Sequence, residues 1–147
     1  MKVADELLTL TREHHQSLSL GNNAVNVHKA GDEAKIKTLC LKIAQTFKPA
    51  YKKHFETEEQ TIFALLKDKS SDLNVLCTQL KNQHQQLYQL AEDLPSQPEL
   101  LLEFGTLLKT HTRTEDRVLF PNITLLTNEQ RQAIKTASKQ HNTLNKI

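Results

Sequence analysis

The sequence predicts an all-α protein, an up-down-up-down four-helix bundle with an additional C-terminal helix. Apolar residues recur every three or four positions along most of the chain, which is the period of amphipathic helices. The 147 residues include only three Gly and four Pro, too few turn-forming residues for a many-stranded β fold. Four long helical segments joined by short connections favour a bundle. The length is that of one domain, which we expect to span residues 1–147.

The first predicted helix covers about residues 4–20. We expect it to end at Gly21-Asn22-Asn23, because Gly and Asn tolerate the left-handed backbone conformation that terminates helices. A loop should then follow through Gly31. The apolar stripe that predicts the inward face of this helix consists of Ala4, Leu8, Thr11, His15 and Leu18.

The second predicted helix covers about residues 32–67. Asp32 is a favourable N-cap at its start. Pro49 is expected to kink this helix or to divide it, because proline lacks a backbone donor and clashes with the preceding turn. The inward stripe of this helix is apolar except in its middle, where it carries His54 and Glu58.

The remaining predicted helices cover about residues 71–94, 98–120 and 128–147. Pro98 suits the first turn of the fourth helix, and Pro121 is expected to end it. The sequence Thr127-Asn128-Glu129-Gln130 predicts a capping box at the start of the fifth helix. We expect this last helix to pack along the bundle, with binding of a partner or a second copy as the alternative.

The composition excludes several classes of function. The chain mixes 19 basic with 17 acidic residues for a net charge of +2, which predicts no basic face for nucleic acid and no polybasic stretch for a membrane. The first residues, MKVADELLTL, include acidic side chains and no long apolar run, so we expect neither a signal peptide nor a membrane anchor. Cys40 and Cys77 lack CxxC spacing and are interpreted as buried free thiols, which favours a reducing, cytoplasmic location.

The chain contains an internal repeat that carries the chemistry. Residues 54–63 read HFETEEQTIF and residues 111–120 read HTRTEDRVLF, with His, Thr, Glu and Phe at the same positions. His54 and Glu58 are thus repeated as His111 and Glu115. Residues four apart lie one above the other on a helix, so each pair can bind the same ion.

Each half of the repeat also supplies a second histidine from its preceding helix. The segment His15-Gln16-Ser17-Leu18 matches His84-Gln85-Gln86-Leu87, with a leucine three residues after the histidine. This register favours His15 over His14 as the inward residue, and leaves His14 beside the site or exposed. Four helices would then present four imidazoles and two carboxylates to one point of the core.

This combination predicts a pair of metal ions. An isolated inward histidine is usually a hydrogen-bonded core residue, but a buried carboxylate must be paired, protonated or bound to metal. No Lys or Arg lies on the inward stripes at this level. Two glutamates can bridge two cations, and imidazole with carboxylate suits iron, zinc, manganese or nickel better than calcium or magnesium.

Four further residues are candidates for supporting roles. Glu59 and Asp116 follow the two glutamates of the repeat, either on a solvated helix face or as hydrogen-bond partners of the histidines. Tyr88 is interpreted as a packed aromatic residue rather than a ligand. His28 and His141 are expected to be structural or surface residues.

The pattern resembles the hemerythrin-like domains of the histidine-histidine-glutamate (HHE) cation-binding family. The resemblance covers nearly the whole chain from the first to the fourth helix. It implies two irons joined by Glu58, Glu115 and an oxo or hydroxo group, with zinc or manganese as the alternative metals. It further implies that one iron is bound by His15 and His54 and the other by His84 and His111.

One departure from the oxygen-carrying hemerythrins bears on function. Those proteins have a further histidine one turn from the third-helix ligand, whereas the neighbouring turns here carry Leu80 and Tyr88. The position left for water, a small molecule or the Tyr88 phenol argues against oxygen transport. The resemblance implies a protein that binds or senses dioxygen, nitric oxide or iron. The alternative is an enzyme that acts on peroxide or nitric oxide, or that donates iron for repair of iron–sulfur clusters.

Overall fold

A computed structural model of the protein describes residues 4–139. The described chain is all-α, as predicted, and contains no β-strand. Its five principal helices are α1 (Leu8–Ala30), α2 (Glu33–Thr57), α3 (Ser71–Asp93), α4 (Leu101–Thr114) and α5 (Asn128–Ser138). Helix α2 continues through a π-helical segment, Glu58–Phe63, into a short turn, Ala64–Leu66, and α4 continues into a second π-helical segment, Glu115–Leu119. Short 3₁₀ segments cover Asp5–Leu7, Pro98–Leu100 and Phe120–Leu125.

Helix α1 does not end at Gly21, so the predicted helix end and the following loop are both wrong. The helix continues to Ala30 and ends at Gly31, which adopts the left-handed conformation with a φ of 76°. Gly21 instead allows a close approach to α4. A Cβ atom at Gly21 would lie 2.5 Å from Cγ of Lys109 and 3.0 Å from the carbonyl oxygen of Gly105. Glycine signals both helix ends and close packing, and here it serves packing.

Helix α2 begins as predicted and is not divided by its proline. The Asp32 side chain accepts a hydrogen bond from the backbone N–H of Lys35 at 3.2 Å. The helix is continuous across Pro49, which is exposed. Water can replace the lost backbone hydrogen bond on an exposed side, which explains why the helix is not broken there.

The predicted capping box of α5 is present, and α3 is capped as well. The Ser70 hydroxyl accepts a hydrogen bond from the N–H of Leu73 at 3.1 Å. Thr127 and Gln130 form both hydrogen bonds of the capping box. The fourth helical region changes close to the predicted end: its π-helical segment ends at Leu119, and Pro121 lies in the first turn of the 3₁₀ segment that follows. Helix α5 is described to Ser138; the rest of the predicted fifth helix, with His141, lies outside the described residues.

The core consists of two hydrophobic clusters with a polar level between them. The first cluster includes Phe47, Phe55 and Phe104, and the second includes Leu80 and Ile134. Each of the first four helices contributes apolar residues to both clusters, counting the segments that continue α2 and α4 and precede α1. We call each of these four helices, with the segments that precede or continue it, a helical path. On the paths of α1, α3 and α4 the buried histidines lie between the two contributions, as do Glu58 and Glu115 on the paths of α2 and α4, while His54 lies beside Phe55 of the first cluster. The fold therefore encloses the buried histidines and glutamates between the two hydrophobic clusters.

Helix α5 packs against the end of the bundle that holds the second cluster. Ile134 is fully buried there. Lys135 forms an ion pair with Asp5 at 2.6 Å, and Arg131 forms one with Glu6. Among the described helices, none combines the length and apolar character that a membrane span requires.

Candidate metal centre

Six buried side chains from four helical paths converge at the polar level. They are His14, His54, Glu58, His84, His111 and Glu115, each at most 1 % exposed. They form two overlapping groups, one with His14 and His54 and the other with His84 and His111, and both groups include Glu58 and Glu115. The potential ligand atoms within each group lie within 4.8 Å of one another. Five of the six residues are those expected from the sequence.

The sixth residue is His14, and the prediction that His15 faces inward is wrong. His15 is exposed, whereas His14 is buried in the site. The prediction relied on Leu18 as the equivalent of Leu87, but the buried equivalent is Ser17. The Ser17 hydroxyl donates to the Tyr51 hydroxyl at 3.2 Å, so a polar side chain is satisfied at a position where an apolar one was expected.

All four imidazoles direct Nε2 toward the two glutamates. The Nε2 atoms of His54, His14 and His84 lie 3.2, 3.3 and 3.1 Å from Glu58 carboxylate oxygens. The Nε2 atoms of His111 and His14 lie 3.0 and 3.4 Å from Oε1 of Glu115. Each carboxylate therefore contacts histidines from both groups, which is the position that a bridging ligand would take.

The four Nδ1 atoms point away from this centre, and each meets a partner on another helical path. The pairs are His14 with Asp116 (2.7 Å), His54 with Glu13 (2.9 Å), His84 with Glu59 (2.7 Å) and His111 with Gln83 (2.7 Å). Because these oxygens accept a hydrogen bond, each ring is protonated at Nδ1, and its neutral form presents the Nε2 lone pair to the centre. The neutral imidazoles are thus held in the tautomer that binds a cation.

Two of these outer partners were missed from the sequence. Glu59 and Asp116 were candidates for this role, and both contact a histidine. Glu13 and Gln83 are not among the residues that the sequence pattern predicts for this role. When His14 takes the place of His15 in the repeat, Glu13-His14 aligns with Gln83-His84. The sequence signal for these two partners is that each immediately precedes a site histidine.

The charges at the centre hold the Glu58 carboxylate ionised. Burial acts to raise the pKa of Glu58, but His54, His14 and His84 lower it well below its usual range. Burial likewise disfavours a charged His54, yet Glu58 and Glu13 raise its pKa to about 9. The same balance, with Asp116 as the largest favourable partner, raises the pKa of His14. An ionised carboxylate is the form that binds cations.

Two features of this geometry fit a metal ion. Oε1 of Glu58 and both carboxylate oxygens of Glu115 are buried without a hydrogen-bond partner among the described residues. Nε2 of His84 lies 3.1 Å from Nε2 of His111, although both rings donate from Nδ1. When both rings are neutral, two lone pairs face each other at that distance and repel, and buried carboxylate oxygens without donors are costly. A cation at each group would relieve both, and imidazole with carboxylate donors suits iron, zinc or manganese.

The two π-helical segments start at the two site glutamates, Glu58 and Glu115. Segments of this kind are rare and occur frequently at functional sites. Phe63 is the last residue of the first segment, and Phe120 directly follows the second. Phe63 stacks on His84 with ring centroids 5.6 Å apart, and Phe120 stacks on His14 at 5.3 Å. The repeated phenylalanines cover imidazoles of the opposite half and help to exclude water.

Tyr88 packs as an aromatic residue and belongs to neither group of potential ligands. It is half-buried against Phe55, with ring centroids 5.4 Å apart, and Nζ of Lys48 lies 5.3 Å from its centroid. Leu80, one turn before His84, is buried in the second hydrophobic cluster. Among the described residues, the neighbouring turns of α3 therefore add no histidine to the site.

A bundle of helices with a buried set of histidines and glutamates defines a class of cation-binding helical domains. The sequence profile described as hemerythrin HHE cation binding domain matches residues 6–99, and the chain belongs to this family. The matched region contains His14, His54, Glu58 and His84; α4 follows it. Comparisons with curated proteins and with solved structures give no significant match.

Proposed function

We propose that the protein is a non-heme di-iron protein that binds or senses dioxygen, nitric oxide or iron. The observation that carries this proposal is the pair of overlapping groups that share Glu58 and Glu115. Two cations held by two shared carboxylates would satisfy the buried oxygens of Glu58 and Glu115 that lack donors. Iron held by imidazole and carboxylate donors would supply a redox-active centre that can bind a diatomic molecule at an open position.

The donor set assigns residues to each cation. His14 and His54 would bind one ion, His84 and His111 the other, and the two glutamates both. Two histidines and two shared carboxylates leave room at each ion for a small exogenous ligand. The outer partners hold the imidazoles in position, and Phe63 and Phe120 shield the centre from water.

Binding is favoured over turnover by the engagement of the nearby acids. Glu13, Glu59 and Asp116 each accept a hydrogen bond from a site imidazole, so these carboxylates act as supports rather than as proton relays. A centre of this kind suits capture of a ligand better than a reaction that consumes protons.

Contacts between α1 and α4 support an up-down-up-down order for α1–α4, within one domain that includes α5. Gly21 of α1 lies against Gly105 of α4, while His14, earlier in α1, meets Asp116, later in the α4 path. These two helices therefore run in opposite directions. The buried free thiols of Cys40 and Cys77 support a reducing, cytoplasmic location.

The test is metal analysis combined with spectroscopy. Protein produced with iron and purified in air should contain about two irons per chain, because the site offers two overlapping ligand groups. It should also show the near-ultraviolet absorption of a ferric pair. The Glu58→Ala variant should lose most of this iron, whereas Glu92→Gln, at an exposed position of α3, should retain it. One zinc per chain with a featureless spectrum would refute the di-iron proposal.

A second measurement separates binding from turnover. The protein is reduced without oxygen, and dioxygen or nitric oxide is then added while the spectrum is recorded. A stoichiometric change that reverses when the gas is removed is the expected result. Continued consumption of gas in the presence of excess reductant would instead support the enzymatic alternative.

A further inference from the structure

The internal repeat gives most site residues a counterpart, so differences between the two halves are visible. His54 and His111, Glu58 and Glu115, Glu59 and Asp116, and Phe63 and Phe120 keep the same chemistry. Glu13 and Gln83 do not. They occupy equivalent positions before His14 and His84, yet one side chain carries a charge and the other does not.

This exchange changes the charge behind one imidazole of each group. Glu13 accepts from Nδ1 of His54 at 2.9 Å, whereas the amide oxygen of Gln83 accepts from Nδ1 of His111 at 2.7 Å. In the group of His14 and His54, both rings are therefore supported by carboxylates. In the other group, only His84 has a carboxylate partner. A carboxylate behind an imidazole makes the opposite nitrogen a stronger donor to a cation.

Glu13 is also the most buried of the three outer carboxylates. Its side chain is 7 % exposed, compared with 22 % for Glu59 and 31 % for Asp116. Water screens a charge less as its exposure falls. Glu13, whose counterpart in the repeat is the uncharged Gln83, is thus the outer carboxylate whose charge is screened least by water.

The packing is also more polar around the group of His14 and His54 than around the group of His84 and His111. The repeat pairs Ser17 with Leu87, Tyr51 with Leu108, and Thr112 with Phe55. All six of these residues are buried. Ser17 and Tyr51 are hydrogen-bonded to each other near His54. Phe55, by contrast, lies flat on His84, with ring centroids 3.8 Å apart and planes inclined by 7°. Charge is more costly beside apolar surfaces than beside hydroxyl dipoles.

We propose that the two cation subsites are unequal: the subsite of His14 and His54 binds a divalent cation more tightly and fills first, and Glu13 is the positioning residue that sets this order. The inference rests on the proposed function, because it requires that both subsites bind cations. It adds an order of loading, so that a state with one cation, bound by His14 and His54, precedes the state with two.

The order can be read with Zn²⁺, which is redox-inert and binds imidazole and carboxylate donors. Metal-free protein with ¹⁵N-labelled histidine rings is titrated with Zn²⁺ and followed by NMR. The ring signals of His14 and His54 should change with the first equivalent, and those of His84 and His111 with the second. Calorimetry on the same protein should resolve two separate binding steps.

Charge-exchanging variants then test the role of Glu13. Glu13→Gln should weaken the tighter step by about ten- to a hundredfold, the usual effect of losing an outer partner, and bring the two steps together. Gln83→Glu should strengthen the weaker step, and the double variant should reverse the loading order. Glu92→Gln makes the same carboxylate-to-amide change at an exposed position and should leave both steps unchanged.

The contrary results are distinct from a failure of the proposed function. Simultaneous changes at all four histidines, or earlier changes at His84 and His111, would overturn the inference while two cations still bind. So would unchanged affinities in a folded Glu13→Gln protein. If that variant does not fold, the Gln83→Glu protein decides alone, since an unaltered weaker step would also overturn the inference. Failure of the unaltered protein to bind Zn²⁺ or iron would instead refute the metal site itself.

Discussion

His14 and His15 are adjacent in the sequence and lie in opposite environments. His14 is 1 % exposed, bonded to Asp116 and within 3.4 Å of both glutamates of the site. His15 is exposed. The chain thus provides a matched pair of histidines with the same chemistry, only one of which reaches the centre.

Exchanging each of these histidines for alanine should give unequal results. His14→Ala removes a donor from the first group and leaves Asp116 without its imidazole, so bound metal should fall to about one ion per chain or less. His15→Ala should retain the metal content of the unaltered protein. Metal analysis after gel filtration measures both. Equal losses, or a greater loss from His15→Ala, would contradict the placement of His14.

The sequence predicted the two HxxxE pairs because their geometry is local. An interval of four residues places His54 above Glu58 on any helix. The choice between His14 and His15 depended on the inward face of α1, whose buried residues include Glu13, Ser17 and Gly21 rather than a clear apolar stripe. The outer partners were harder still, since Glu13 and His54 are 41 residues apart and meet only through helix packing.

At the scale of the element, the contact of α1 with α4 depends on two glycines. A Cβ atom at Gly105 would lie 2.8 Å from the carbonyl oxygen of Gly21 and 3.0 Å from side-chain atoms of Ala24 and Val25. Backbone atoms on one helix therefore approach the other more closely than a side chain would permit. This contact sets the spacing between the helices that carry His14, His111 and Glu115.

Gly105→Ala should consequently destabilise the protein. Alanine favours helix by about 1 kcal/mol over glycine, but overpacking of a close contact typically costs about 1–3 kcal/mol. We expect a net loss in the free energy of unfolding, measured by urea denaturation of the metal-free protein. Gly31→Asn serves as the control, because Asn tolerates the φ of 76° and nothing lies within 4 Å of a Cβ there. A stabilised Gly105→Ala protein would show that the helices can move apart at no cost.

Helix starts were predictable where a single side chain determines them. Asp32 and Thr127, the two predicted caps, each bind a backbone N–H three residues further along the chain. The role of Gly21 could not be read in this way, because it depends on Gly105, which is distant in the sequence. The π-helical segments were also not predicted, since the apolar spacing around Glu58 and Glu115 is that of an ordinary amphipathic helix.

At the scale of the molecule, the candidate centre links four helical paths at one level. Every path contributes one imidazole, two also contribute a glutamate, and each of the four outer hydrogen bonds joins two different paths. The two hydrophobic clusters hold the bundle together on either side of this level. The metal-free protein should thus remain folded, with its least stable layer in the middle.

Metal removal should lower the thermal stability of the whole molecule. A ligand present at a thousand times its Kd and bound only by the folded state adds about 4 kcal/mol, and 1 kcal/mol shifts Tm by about 2–8 °C for domains near this size. We therefore expect Tm to fall by about 10 °C or more when metal is removed with a chelator, as followed by circular dichroism. Restoring the metal should restore Tm in the unaltered protein and in His15→Ala, but not in Glu58→Ala. An unchanged Tm after verified metal removal would show that the centre does not connect the helices as its geometry indicates.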